Sequence, residues 1–115
     1  MAEGTYSLVK AVGVTFENRQ QLISRMTPES VVKLVPEPHN QYDPNAIAVV
    51  EETLGTIGYI PRDLTHKYLD HVVFAHRVVG GGTNGYTYGV HLSLQKREQL
   101  EQEQRCQDLF ALHGC

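Results

Sequence analysis

The sequence is poor in cysteine, with only Cys106 and Cys115, both close to one end of its 115 residues. Two thiols placed there cannot cross-link a domain, so no disulfide framework is expected and a reducing compartment fits. No apolar run approaches the length needed to cross a bilayer. The opening MAEGTYSLVK has neither a basic leader nor an apolar h-region. The expectation is a soluble, cytoplasmic protein with no membrane partner. An excess of positive charge is missing as well: Lys and Arg number 10 against 13 Asp and Glu, a formal net charge of -3. That balance argues against a long phosphate track, so any nucleic-acid binding must be local.

Catalytic signatures are absent too. The chain has no GxSxG, no CxxC or HExxH spacing, and no paired carboxylates with the metal spacing of a nuclease. The run Gly80-Gly81-Gly82 is not followed by GK[ST] and reads as a hairpin loop. His66, His71 and His76 are five apart, which on a helix turns each away from the last, and scattered surface histidines account for them. Neither cysteine has a setting that would activate it. No cofactor and no enzymatic activity are expected.

What is present is the apolar share and patterning of one ordinary globular domain. Ser7 to Phe16 is Val-rich and loosely alternating, a strand signal. ENRQQLISRM predicts a short helix with Leu22, Ile23 and Met26 on one side, stopped by Pro28. ESVVKLVPEP, AIAVVEE and TIGYIPR predict three further strands. Asp63 is a fair N-cap for an amphipathic helix over DLTHKYLDHV, with Leu64, Tyr68 and Val72 on one face. VVFAHRVV and YTYGVHLSL predict a hairpin around Asn84-Gly85. About six short strands with one or two short helices favour a mainly β fold, a strongly curved barrel or half-open sheet, because short strands leave costly edges. The domain is assigned to residues 1–95. Residues 96–115 are Gln/Glu-rich with good helix propensity and read as an appended helical tail. The tail lacks sustained heptads, and its Cys106, Leu109 and Phe110 could dock on the barrel or pair with another chain.

One loop carries more than a turn requires. PEPHNQYDPNAIAVV, Pro36 to Val50, sets Tyr42 beside Asp43 between prolines. Asp43, Pro44 and Asn45 make a plausible Asx-turn by themselves. Phe16, Tyr59, Arg62 and Tyr86 fall at the ends of neighbouring elements. If those ends converge, aromatics, a carboxylate and a guanidinium surround one site able to stack bases, receive a hydroxyl proton and hold phosphate.

GVTFENRQ, LVPEPHNQYDPNAIAV, GTIGYIPRDL and GGTNGYTYGVHLSL, in this order, resemble a HIRAN domain. The resemblance covers about Ser7 to Leu94, and the stand-alone bacterial members are the nearest in organisation. It implies a small OB- or SH3-like barrel with capping helices. It also implies a pocket for the 3′ end of single-stranded DNA that serves DNA repair and replication-fork processing, beside a helicase or nuclease partner. By that resemblance Asp43 reads the terminal 3′-hydroxyl, with Tyr42 beside it. Phe16 and Tyr86 stack the end bases, Arg62 contacts phosphate, and Asn40 shapes the pocket or touches a base edge. Two positions depart from the DNA-binding eukaryotic pattern: Thr15 stands where those members have an arginine, and Tyr59 where they tend to have a histidine. Tyr59 retains the ability to stack or donate a hydrogen bond. The alternative function is a protein-interaction adaptor, in which the barrel is a scaffold and the tail recruits a partner or makes a homodimer.

Overall fold

A computed structural model describes residues 6–81 and 87–97. Six strands form: β1 (Ser7–Lys10), β2 (Val32–Pro36), β3 (Ile47–Glu51), β4 (Gly55–Tyr59), β5 (His71–Gly80) and β6 (Tyr88–Lys96), with one short helix, α1 (Arg19–Ile23), and a 3₁₀ helix, Arg62–Lys67. They pair as two antiparallel three-stranded sheets, in the orders β1-β6-β5 and β2-β3-β4. The mainly β class stands, but among the described residues no ladder closes the strands into one six-stranded barrel. The sheets are tied instead by a single bridge, Val12 to Tyr59.

Alternation decides which side of each strand faces in. On β6, Val90, Leu92 and Leu94 are fully buried while His91 is exposed. On β3, Ile47, Ala48 and Val49 are all buried, because that central strand is covered on both faces. Ile23 of α1 joins Ile57, Ile60 and Tyr68 in the same core, with Leu22 and Met26 packed against it. The apolar side expected for the first helix is therefore the side that turns inward.

The structure shortens or shifts several expected elements. Ser7–Phe16 is not one strand: β1 ends at Lys10, Ala11 donates to the Val90 carbonyl, and Val12 has already crossed to Tyr59 of the other sheet. The crossing is possible because Gly58 has no side chain. A Cβ there would stand 3.0 Å from the Val12 carbonyl oxygen and 3.1 Å from Val14. The helix expected over residues 63–72 is a 3₁₀ helix whose N-cap is Pro61, not Asp63, with no side-chain cap. Leu64 and Tyr68 do pack inward, but Val72 already belongs to β5. A stretch this short, held by i→i+3 bonds such as Leu64 N–H to the Pro61 carbonyl, closes as 3₁₀ rather than α. His71 is buried rather than on the surface, edge-on to the Tyr68 ring with Nδ1 2.9 Å from Asp70. β6 starts at Tyr88 and runs one residue past the expected boundary, and Arg97 donates to the Asp70 carbonyl. Asn84-Gly85, Tyr86 and the tail beyond Arg97 lie outside the described residues.

Glu51 is a buried carboxylate at the β3–β4 turn. Its Oε1 accepts from the Leu54 and Thr53 amides and the Thr53 hydroxyl. The Leu54 amide, helped by the Thr53 and Ser30 groups and opposed by burial, holds its pKa below the ordinary 4.5. The folded state thus binds this proton less tightly than the unfolded chain. Its stabilising effect is complete above pH 4.5 and is lost as pH falls through the lowered folded-state value. Glu51→Gln should flatten that acidic limb of the stability–pH curve measured by urea unfolding. An unchanged limb would show that other carboxylates set it.

Candidate nucleic-acid interface

Three chain segments meet beside the Val12–Tyr59 bridge and enclose a cleft of ≈ 960 Å³. The crossover loop brings Val12, Gly13, Phe16, Glu17 and Arg19, the β2–β3 loop brings Asn40, Tyr42, Asp43 and Ala46, and the end of β4 brings Tyr59, Ile60 and Arg62. Six of the eight residues expected at the site, Phe16, Asn40, Tyr42, Asp43, Tyr59 and Arg62, therefore line one cavity. Thr15 is exposed and not among the lining residues, and Tyr86 lies outside the described ones. A smaller hollow of ≈ 350 Å³ near the β3–β4 turn is edged by Glu29, Glu51, Glu52 and Arg25 and contains none of the expected residues.

The β2–β3 loop holds its shape through its own polar groups. Its ends are fastened by the Glu37 amide donating to the Ala46 carbonyl, just beyond the Pro36–Ile47 pair. Asn40 Oδ1 accepts from the amides of Tyr42 (2.8 Å) and Asp43 (3.0 Å), while its Nδ2 donates to Glu37 Oε1 at 2.9 Å. Both ends of that side chain are committed, so Asn40 shapes the loop. Asp43 Oδ1 accepts from the Asn45 amide at 2.9 Å, an Asx-turn. Its Oδ2 faces Arg62 Nε at 3.6 Å. The turn and the Arg62 ion pair thus use different oxygens of one carboxylate.

The aromatic groups divide by exposure. Tyr42 and Phe16 are 83% and 65% exposed, apolar faces available to a planar ligand. Tyr59 is the opposite case. Its hydroxyl donates to Glu37 Oε1 at 2.9 Å and its ring lies under the Arg19 guanidinium, 5.1 Å from centroid to Cζ. It forms a wall rather than a free stacking platform. Burial, then the Glu37 hydrogen bond and charge, push its phenol above the ordinary 10.0, against the opposing pull of Arg19.

Arg19 and Glu37 escaped the sequence reading. Neither was among the residues expected at the site, although Arg19 falls at helical spacing with Leu22, Ile23 and Met26. The one available signal for Glu37 was that Pro36 and Pro38 fix its backbone. Thr15 carries no charge, but a guanidinium does enter the cleft, from Arg19 four residues along. Among the described residues no group of three His, Cys, Asp or Glu side chains could hold a metal ion, and no described helix is long and apolar enough to cross a membrane.

The Tyr59 contacts can be read optically. The tyrosinate absorbance difference between wild type and Tyr59→Phe should titrate above pH 10.0, and Glu37→Gln should bring that titration down. A wild-type midpoint at or below 10.0 would contradict the buried, Glu37-bonded phenol.

Comparisons with curated proteins and with solved structures give no significant match. The family profile described as HIRAN domain matches residues 6–97, a span that takes in both sheets and every described residue of the cleft. With four-fifths of its length inside that match, the chain belongs to the HIRAN domain family.

Proposed function

We propose that the cleft binds the 3′-hydroxyl end of single-stranded DNA and that the protein works as a non-enzymatic accessory in DNA repair or replication-fork processing, alongside a helicase or nuclease. HIRAN domains are DNA-binding modules for single-stranded 3′ ends. The observation that carries the reading for this chain is the convergence of the exposed Phe16 and Tyr42 rings with Asp43 Oδ2 in one cavity. The rings offer faces for the last bases. Asp43, its side chain 19% exposed and its other oxygen held by Asn45, is an acceptor aimed at a hydroxyl. Arg62, 83% exposed, is free to swing onto a phosphate.

End selectivity follows from charge. A half-buried carboxylate accepts a hydroxyl proton but repels a phosphate at the same place. Fluorescence anisotropy should therefore show tighter binding to a 3′-hydroxyl oligonucleotide than to its 3′-phosphate form. Asp43→Ala should erase the preference more than the affinity. Equal affinity of the wild type for the two ends would falsify the proposal.

The adaptor reading places recruitment on the tail, with the folded domain as scaffold, and the sheet adds exposed apolar surface of its own. Tyr6 and Phe74 pair at 4.7 Å across the outer face of the β1-β6-β5 sheet, beside Leu8, which is 82% exposed. Light scattering would separate the two readings. A dimer that is lost when the chain is ended after Arg97 would favour association through the tail, while a monomer in both forms would leave DNA binding alone. The cut belongs there rather than after Gln95, because β6 includes Lys96 and Arg97 bonds to Asp70.

A further inference from the structure

We infer that Arg19 is the fixed phosphate-binding group of the cleft and that Glu17 is a built-in counter-ion which a DNA phosphate displaces from it. The inference rests on the nucleic-acid reading of the cleft and adds two residues to it. The side chain of Arg19 is only 12% exposed. Nη1 donates to the Gly13 carbonyl at 2.7 Å, Nη2 to Glu17 Oε1 at 3.1 Å, and the guanidinium lies over Tyr59. A guanidinium has five N–H donors. Among the described residues these two bonds are the ones Arg19 makes, so donors remain on a guanidinium whose side chain is largely buried.

The partner is poorly matched to such a cation. The Glu17 side chain is 75% exposed, so its carboxylate stays largely hydrated, and an exposed ion pair is weak. Glu17 also has a φ of 54°, a left-handed conformation that a residue with a Cβ rarely adopts. A nucleic-acid phosphate presents two anionic oxygens that the planar guanidinium fork can hold side by side, where Glu17 offers one. The guanidinium is already oriented by Gly13 and Tyr59, so little freedom is lost on binding. Arg62 differs on each point, being exposed and 3.6 Å from its carboxylate.

A purely structural Arg19, a strut between Gly13 and Tyr59, predicts a different response to removing the Glu17 charge. Glu17→Gln keeps the size and backbone demand of the side chain and deletes only its charge. With a 5′-fluorescein-labelled oligothymidylate ending in a 3′-hydroxyl, Glu17→Gln should tighten binding by about two- to fivefold. Arg19→Gln should weaken it by about tenfold and lower the slope of log affinity against log salt by about 0.7. Arg19→Lys, which keeps the charge and loses the fork, should fall between. In the Arg19→Gln background the Glu17→Gln gain should vanish. Unchanged or weaker binding by Glu17→Gln overturns the inference, and that variant decides the matter even if Arg19→Gln fails to fold. Loss of 3′-hydroxyl preference with the Glu17 effect intact would sink the end-recognition reading alone, and no binding by wild type would sink both.

Discussion

The two hydrogen bonds between Val12 and Tyr59 hold this molecule's parts in relation to one another. Val12 N–H donates to the Tyr59 carbonyl at 2.8 Å and Tyr59 N–H returns the bond at 2.9 Å. They are the one backbone bridge between the sheets among the described residues. Through them the chain leaves β1, passes under Gly58 and delivers Phe16, Glu17 and Arg19 to the end of β4. Together with Gln20, whose side chain bonds the Val14 and Tyr88 carbonyls, that pairing sets the place of the crossover loop and so of the aromatic and charged groups on that wall of the cleft. The Glu37 carboxylate continues the linkage. One oxygen takes both the Tyr59 hydroxyl and the Asn40 amide, so the position of β4 is transmitted to the loop bearing Asp43. The shared acceptor is half-buried, so losing it would leave two partly shielded donors without a partner.

Electrostatically the cleft is finely balanced rather than basic. Arg19 faces Glu17, and Arg62 faces Asp43, so each cation is matched by a carboxylate before any ligand arrives. A chain of net charge -3 has little long-range attraction for DNA, and beyond roughly 10 Å in ordinary salt such attraction is screened in any case. What the cleft offers is short-range chemistry: flat apolar rings, donors and an acceptor at fixed spacings. That suits recognition of a strand end, which is a small set of groups, better than tracking along a backbone.

Much of the fold was legible. Strand positions followed from alternation and Val-rich runs, and Leu22, Ile23, Met26, Leu64 and Tyr68 were read onto inward faces where they lie. Element ends were less legible. Ser7–Phe16 looks like one strand because nothing in its residues marks the point where it changes sheets, and that point is set by Gly58, distant in sequence. The 63–72 segment had helical spacing, but Pro61 and the pull of β5 on His71 and Val72 left room for only one 3₁₀ stretch. At the site, the residues with unusual local company were found. Arg19 was not, because its role depends on a ring forty positions away.

The sequence alone determined the strand pattern, the absence of catalytic and metal spacings, and the self-bonded turn at Asp43–Asn45. All of these depend on residues near one another in the chain, where periodicity and local hydrogen bonding are readable. Only the tertiary structure decided that the strands divide into two sheets, that Tyr59 is a wall rather than a platform, and that the cation in the cleft floor comes from Arg19 instead of position 15. Each of these rests on a contact between segments that the chain brings together only by crossing from one sheet to the other. Such a contact depends on where a backbone without a side chain, at Gly58, lets another strand approach.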